Sequence, residues 1–261
     1  MITDNFLVTG QNALVTGASR GIGRATALAL AEAGADVAVT ARTDAALESL
    51  VEDIERLGRR CVAIAADMSD TDALGAVAAN AAEQLGGLNV LVNNVGGTPP
   101  RPLLDTSTNM FERAFHFNVT TAFEMTKAVL PTMLAGGGGS VVNISSAIGR
   151  MTDRGFVAYG TAKGALSHMT RLMATECAPK VRVNAIAAGS IETSALQSVL
   201  TQDLKEVMES NTPLRRLGEP TDIALAVLYL CSPAGSFMTG KILEVDGGIE
   251  APTLALGLAD L

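Results

Sequence analysis

Tyr159 and Lys163 stand four residues apart in the run Tyr159-Gly160-Thr161-Ala162-Lys163, with Ser146 thirteen residues upstream. On a helix, that spacing sets the phenol and the ammonium on one face, about one turn apart. A free phenol, with a pKa of about 10, is a poor acid–base catalyst at neutral pH. A cation held at roughly 4 Å in an effective dielectric of ~20 would stabilise the phenolate by about 4 kcal/mol, or up to ~3 pKa units. The chemistry open to such a pair is proton transfer to or from an oxygen. A half-buried Tyr beside a solvated Lys has the same spacing, so the pair gains meaning only from its surroundings.

A second constellation lies near the N-terminus. The run Thr16-Gly17-Ala18-Ser19-Arg20-Gly21-Ile22-Gly23 falls between a predicted strand, Ala13 to Thr16, and a predicted helix from about Gly23 to Ala33. Glycines at such a strand-to-helix turn let a pyrophosphate approach the backbone, and the helix start supplies N–H groups and a positive dipole end. Gly17, Ser19, Arg20, Gly21, Ile22 and Gly23 are therefore candidate cofactor contacts. The second strand, Asp36 to Thr40, runs into Thr40-Ala41-Arg42, with no acid at its end. An NAD site usually offers a carboxylate to the ribose 2′-hydroxyl there, whereas an NADP site omits it and supplies cations. Arg20 and Arg42 can clamp a 2′-phosphate by charge-assisted hydrogen bonds. NADP(H) is the favoured cofactor; NAD(H) is the alternative, with Asp44 the acid that would support it.

The elements that must position these groups alternate regularly. Further strands are expected at Cys61 to Ala65, Val90 to Asn93, Ser140 to Ile144, Val181 to Ala187 and Ile242 to Val245. Helices are expected at about 44–57, where Thr43 or Asp44 can cap, and at 71–85, 110–134, 157–176 and 221–230. Strand–helix alternation with apolar strands means a parallel sheet covered on both faces: a single doubly wound α/β domain over residues 1–261. Two segments break the rhythm. One is Gly96 to Pro102. The other, Ser190 to Pro220, is a candidate substrate lid bearing Leu196, Val199, Leu200, Leu204, Val207 and Met208 at helical spacing. The apolar tail, Ala251 to Leu261, could cover a neighbour's surface.

Composition narrows the class. The chain is 48% hydrophobic and 18% charged, which excludes broad disorder, and its net charge of −8 argues against a nucleic-acid surface. No membrane span is expected, because the longest uncharged stretch, Ala128 to Gly149, holds Pro131 and four consecutive glycines. Cys61, Cys177 and Cys231 lack metal-ligand spacing, and no His/Cys/Asp cluster suggests a metal. The N-terminus lacks a signal-peptide pattern, so a cytoplasmic setting is expected.

Taken together, the glycine loop, Asp67, Asn93-Asn94-Val95-Gly96, Asn118, Ser146, Tyr159, Lys163, Ala188-Gly189 with Thr193, and Asp246-Gly247-Gly248 resemble the short-chain dehydrogenase/reductase family. The resemblance covers nearly the whole chain. It implies a Rossmann-type sheet of seven parallel strands in the order 3-2-1-4-5-6-7. It also implies Tyr159 as general acid/base, Ser146 as donor to the substrate oxygen, and Lys163 as holder of the nicotinamide ribose and depressor of the Tyr159 pKa. Asn118 would position a water linking Lys163 to solvent. Asp67 and Met68 would lie at the adenine, Asn94 near the adenosine ribose, and Gly189, Ile191 and Thr193 by the carboxamide. The implied reaction interconverts a secondary alcohol and a ketone, in a homotetramer acting on a small-molecule substrate. Two departures stand out: Ala188 replaces the usual proline, and Val95 the usual alanine. In subfamily terms, the runs Thr193 to Leu196, Asn211 to Gly218 and Leu230 to Pro233 look like those of bacterial 7α-hydroxysteroid dehydrogenases, and related runs occur in 3-oxoacyl-carrier-protein reductases. The latter would need a basic surface, for which Arg101, Arg150 and Arg154 are candidates. A third reading is a non-catalytic NADP(H) sensor.

Overall fold

The structure, a computed structural model, describes residues 1–198, 200–253 and 258. Seven strands form one parallel sheet: β1 (Asn12–Val15), β2 (Asp36–Ala41), β3 (Cys61–Ala65), β4 (Val90–Asn93), β5 (Gly139–Ser146), β6 (Val181–Ala188) and β7 (Ile242–Val245). Their order is β3-β2-β1-β4-β5-β6-β7, as the resemblance implies. The chain winds outward from β1 to β3, then returns to place β4 against the other side of β1. That reversal opens a crevice beyond the carboxyl ends of β1 and β4, where open α/β sheets bind ligands.

The helices are α1 (Gly21–Glu32), α2 (Glu48–Arg56), α3 (Leu74–Leu85), α4 (Thr108–Phe115), α5 (Thr121–Ala135), α6 (Val157–Cys177), α7 (Ser194–Gln197), α8 (Gln202–Asn211) and α9 (Pro220–Cys231). Successive strand residues point to opposite faces, so two apolar layers form. On one face Ala13, Val15, Val39 and Val92 pack with Leu30 of α1, Leu50 of α2 and Val227 of α9. On the other, Leu14, Leu91 and Val183 pack with Leu74 and Val77 of α3 and Met125 and Val129 of α5. Because both faces are covered, the inner strands read as continuous apolar runs rather than alternating ones.

Two expectations need correction, and a third gains detail. The helix expected over 110–134 is interrupted: α4 and α5 are joined by a π turn, His116–Thr120, in which the Thr121 N–H reaches back five residues to the His116 carbonyl. The cause is local. Asn118 Nδ2 donates to the Ala114 carbonyl at 2.8 Å, an acceptor that regular helix would give to the backbone N–H of Asn118. Second, neither Thr43 nor Asp44 caps α2: a short 3-10 turn, Asp44–Ala46, intervenes, and Thr43 makes no side-chain capping bond. Third, the segment from Ser190 to Pro220 holds two helices, α7 and α8, each capped by a threonine hydroxyl, Thr193 and Thr201. Of its apolar residues Met208 is buried, while Val207 is 43% exposed. Val199 and most of the expected apolar tail, 254–257 and 259–261, lie outside the described residues. Among the described residues, no helix is long and apolar enough to cross a membrane.

Candidate active site

The glycine loop between β1 and α1 is shaped by backbone approach. Gly17 and Gly21 take φ of 65° and 56°, in the left-handed region that glycine alone enters without strain. Gly23 has an ordinary backbone, but a Cβ on it would lie 2.4 Å from the Gly17 carbonyl oxygen and 2.6 Å from Asn94 Nδ2. Asn94, just past β4, holds the loop: its Nδ2 donates to the carbonyls of Thr16 (2.9 Å) and Gly17 (3.1 Å). From β2, the Thr40 hydroxyl accepts the Gly17 N–H at 3.2 Å and the Thr40 carbonyl accepts the Ala18 N–H at 2.8 Å. The loop therefore follows the carboxyl ends of three strands and runs into the start of α1. A dinucleotide pyrophosphate fits such a cradle. Val95, rather than standing free beside a cofactor, packs its Cγ2 against the position a Gly17 Cβ would take, 2.9 Å away.

The remaining predicted cofactor contacts spread along the same crevice. Ser19 is half-buried and Arg20 exposed at the start of α1. Arg42 is exposed past β2. Neither guanidinium is committed to a hydrogen bond or an ion pair among the described residues, although Arg42 lies within electrostatic reach of Asp67. The Asp67 carboxylate accepts the Ser69 N–H (2.9 Å) and hydroxyl (2.7 Å), and these bonds hold its pKa below the usual range. Met68 is buried, with its sulfur 3.4 Å from the Thr40 hydroxyl. Ile191, Thr193 and Gly189 follow β6. The Ile191 side chain fills the space a Gly218 side chain would need, and the Thr193 methyl lies 3.3 Å from the position of a Gly21 Cβ. The post-β6 segment thus touches the glycine loop directly. Lys205 of α8 anchors this segment through both Glu192 oxygens, at 3.0 and 3.1 Å.

Ser146 ends β5, while Tyr159 and Lys163 lie on the first turns of α6. Two features hold α6 close to β5. The Ser145 hydroxyl donates to the Lys163 carbonyl at 3.0 Å, and Gly149 leaves room where a Cβ would meet the Lys163 carbonyl carbon at 2.9 Å. Burial raises the Tyr159 phenol pKa, and the Ser146 hydroxyl draws it partly back. Lys163 is 3% exposed; its Nζ lies 5.8 Å from the Tyr159 ring centroid and donates to the Ile144 carbonyl at 2.8 Å. Desolvation brings its own pKa from 10.5 down to about 8. The expected depression of the Tyr159 pKa by Lys163 is thus overturned: burial raises it instead. Charge arithmetic alone leaves out the desolvation of both groups, and here desolvation dominates.

Asn118 is fully buried in the π turn, its Oδ1 accepting the Gly97 N–H at 2.8 Å. A Cβ on Gly96 would lie 2.7 Å from Asn118 Oδ1 and 2.8 Å from Lys163 Nζ, so Asn118 and Lys163 converge where Gly96 leaves room by having no side chain. All four predicted catalytic residues are brought together at the carboxyl edge of the sheet.

Beneath them runs a buried polar ladder of which the motifs mark Asn93 alone. Asn93 Nδ2 donates to Thr126 Oγ1 (3.0 Å) and Asn143 Oδ1 (2.9 Å), and Asn143 Nδ2 donates to Thr170 Oγ1 (2.9 Å). It ties β4 and β5 to α5 and α6, directly under the site. The available signal was an asparagine in each of two adjoining apolar strands, in register as Asn93↔Asn143.

The sheet order, the glycine cradle and the Ser–Tyr–Lys cluster at the strand ends define a nicotinamide-dependent oxidoreductase of Rossmann type. Sequence comparison agrees: the sequence model of a family described as enoyl-(acyl carrier protein) reductase matches residues 17–250. The chain belongs to the short-chain dehydrogenase/reductase family. It is 54% identical over 263 residues to an uncharacterised oxidoreductase of Mycobacterium tuberculosis (strain CDC 1551 / Oshkosh), covering 100% of both chains. It is 40% identical to the 7α-hydroxysteroid dehydrogenase of Escherichia coli (strain K12), covering 94% of this chain and 96% of that one. A solved 7α-hydroxysteroid dehydrogenase, complexed with NADH and 7-oxo glycochenodeoxycholic acid, superposes with a TM-score of 0.91 at 40% identity, over 94% of this chain and 96% of that one.

Proposed function

We propose that this oxidoreductase uses NADP(H) to interconvert a secondary alcohol and a ketone on a small apolar or steroid-like substrate. The observation that carries the reading is the meeting of Ser146 and Tyr159 at the sheet edge, with the dehydrated Lys163 ammonium behind them. A bound nicotinamide would supply or accept the hydride. Ser146 donates a hydrogen bond to the substrate oxygen, and Tyr159 delivers the proton that neutralises the developing alkoxide. Lys163 carries positive charge below a pH of about 8. Its charge favours the phenolate, and its Nζ would hold the nicotinamide ribose of a bound cofactor. Asn118 fixes the Gly96–Gly97 backbone against Lys163 and holds open the route by which a water resupplies protons.

For the cofactor, the absence of an acid in Thr40-Ala41-Arg42 and the two uncommitted guanidiniums of Arg20 and Arg42 support NADP(H). Asp67, Met68 and Asn94 border the adenosine end; Gly189, Ile191 and Thr193 border the carboxamide. The carrier-protein reading loses support from Arg150, whose guanidinium is engaged by Glu244, Asp246 and Glu250. Phe115, Phe123, Leu134 and Leu172 leave apolar surface open on α4, α5 and α6, which supports assembly into a homotetramer through the long helices.

The test pairs dissociation constants for NADPH and NADH with turnover over a panel of ketones that includes oxo-steroids and 3-oxoacyl thioesters. Arg20→Ala and Arg42→Ala should each weaken NADPH by about tenfold, the loss of one charged hydrogen bond, and leave NADH unchanged. Tighter binding of NADH by the wild type would overturn the cofactor choice. Inertness toward every ketone would overturn the reaction.

A further inference from the structure

The carboxyl ends of β5, β6 and β7 lie in one row, because Ser146 is in register with Ala188 and Ala188 with Val245. The row spans about 10 Å, two strand spacings. One residue further on, the chain enters the loops that wall the candidate site: Ala147 after β5, Gly189 after β6, and Asp246 after β7. The hydrogen bonds between strands end at this edge, the Gly189 N–H to the Val245 carbonyl being the last between β6 and β7. Something else must set how far apart the walls stand.

Arg150 bridges them. Ser146 caps the short turn Ala147–Gly149, and the Arg150 N–H closes it by donating to the Ala147 carbonyl at 3.0 Å. The guanidinium then reaches across the row. Its Nε lies 3.0 Å from a Glu244 oxygen, its Nη1 3.2 Å from Glu250, and its Nη2 3.0 Å from Asp246 and 2.8 Å from the Ile249 carbonyl. Asp246 is in turn seated on the β6 side: the Gly189 N–H donates to the Val245 carbonyl at 3.0 Å, and a Cβ on Gly189 would meet the Asp246 Cα at 2.6 Å. The Arg150 side chain is 31% exposed, so solvent and salt screen its charges. Its contribution is therefore geometric: a planar fork engages four acceptors at once, which an ammonium on a flexible stem does not reproduce.

We propose that Arg150 is a positioning residue, fixing the Ser146 loop against the Gly189 loop so that the substrate oxygen and the nicotinamide meet at one distance. This rests on the assignment of Ser146 and Tyr159 to the reaction proposed above. The residue touches neither the substrate nor the reacting atoms; it acts through Ser146 and Gly189.

The experiment uses Arg150→Met, Arg150→Lys and the exposed double variant Glu244→Gln/Glu250→Gln in the full-length chain. The probes are NADPH, 2′-phospho-ADP-ribose (which lacks the nicotinamide), and a ketone the wild type reduces. Arg150→Met should lower kcat about tenfold or more with little change in the ketone KM, as expected when positioning rather than uniform binding is lost. NADPH should bind about fivefold more weakly while 2′-phospho-ADP-ribose binds as before, since the adenosine end lies at β1 and β2. Arg150→Lys and the double variant should fall between. If Arg150→Met does not fold, the same split of kcat from KM, and of NADPH from 2′-phospho-ADP-ribose, must appear in the other two. The proposal is overturned if folded variants keep both kcat and NADPH affinity, or if both nucleotides weaken together. The nucleotide comparison needs no turnover, so it still tests Arg150 should no ketone prove to be a substrate.

Discussion

Replacing Lys163 by methionine should stabilise the fold at neutral pH while destroying activity, and the gain should vanish in alkali. The Lys163 amine is 3% exposed, and desolvation brings its pKa from 10.5 to about 8. The sign follows from proton counts. Between pH 8 and 10.5 the unfolded chain holds a proton on this amine that the folded chain has released, so folding becomes more favourable as pH rises. Below pH 8 both states are protonated, and the folded state carries the full cost of a buried ammonium. A shift from 10.5 to about 8 corresponds to about 3 kcal/mol at 1.36 kcal/mol per unit. The hydrogen bond to the Ile144 carbonyl, about 1–2 kcal/mol, is lost in the variant and partly offsets the gain. Lys163→Met should therefore be about 1–2 kcal/mol more stable than wild type at pH 7 and about 1–2 kcal/mol less stable near pH 10.5. Urea unfolding of both proteins at matched concentrations across this range measures the difference, from which other titrating groups cancel. A difference that does not move with pH would refute the reasoning, because it would mean that the ammonium is not desolvated in the folded state.

Further outcomes follow from the same geometry. Gly96→Ala should lower kcat by at least about tenfold and stability by about 1–3 kcal/mol, since the added methyl must displace Asn118 Oδ1 or Lys163 Nζ; steady-state kinetics and thermal melting check both. Asn94→Leu removes both bonds to the glycine loop and should weaken NADPH about tenfold or more while costing about 1–3 kcal/mol of stability, read by nucleotide titration and urea unfolding. Cys61 and Cys231, whose thiols burial pushes up to about 12, should resist alkylation in the native protein at pH 8 and react only on unfolding.

The sheet was legible because strands buried on both faces must be apolar along their length, and the boundaries of β3, β4 and β7 fall where the apolar runs suggest. The candidate catalytic group was legible for a different reason: Ser146, Tyr159, Lys163 and Asn118 match the motifs of the family the chain resembles, and the fold brings them to one edge of the sheet. What escaped was set by side-chain contacts, one local and one between distant residues. The π turn at His116–Thr120 arises from one side chain, Asn118, taking a backbone acceptor, which leaves no periodic trace. Arg150 read as a surface cation because its partners lie 94 to 100 residues ahead in the chain, in and beyond β7. The sign of the Tyr159 shift was missed because Coulomb's law was applied without the desolvation that makes the pocket work.

That Tyr159 carries the proton is the heart of the proposed reaction. It is tested most directly by mixing enzyme-bound NADPH with a ketone the wild type reduces, and following its oxidation in a single turnover by wild type and Tyr159→Phe. The rate should be at least ~100-fold lower in the variant, the usual worth of a positioned acid, with NADPH affinity within about twofold of wild type. Equal rates in the two proteins would contradict it.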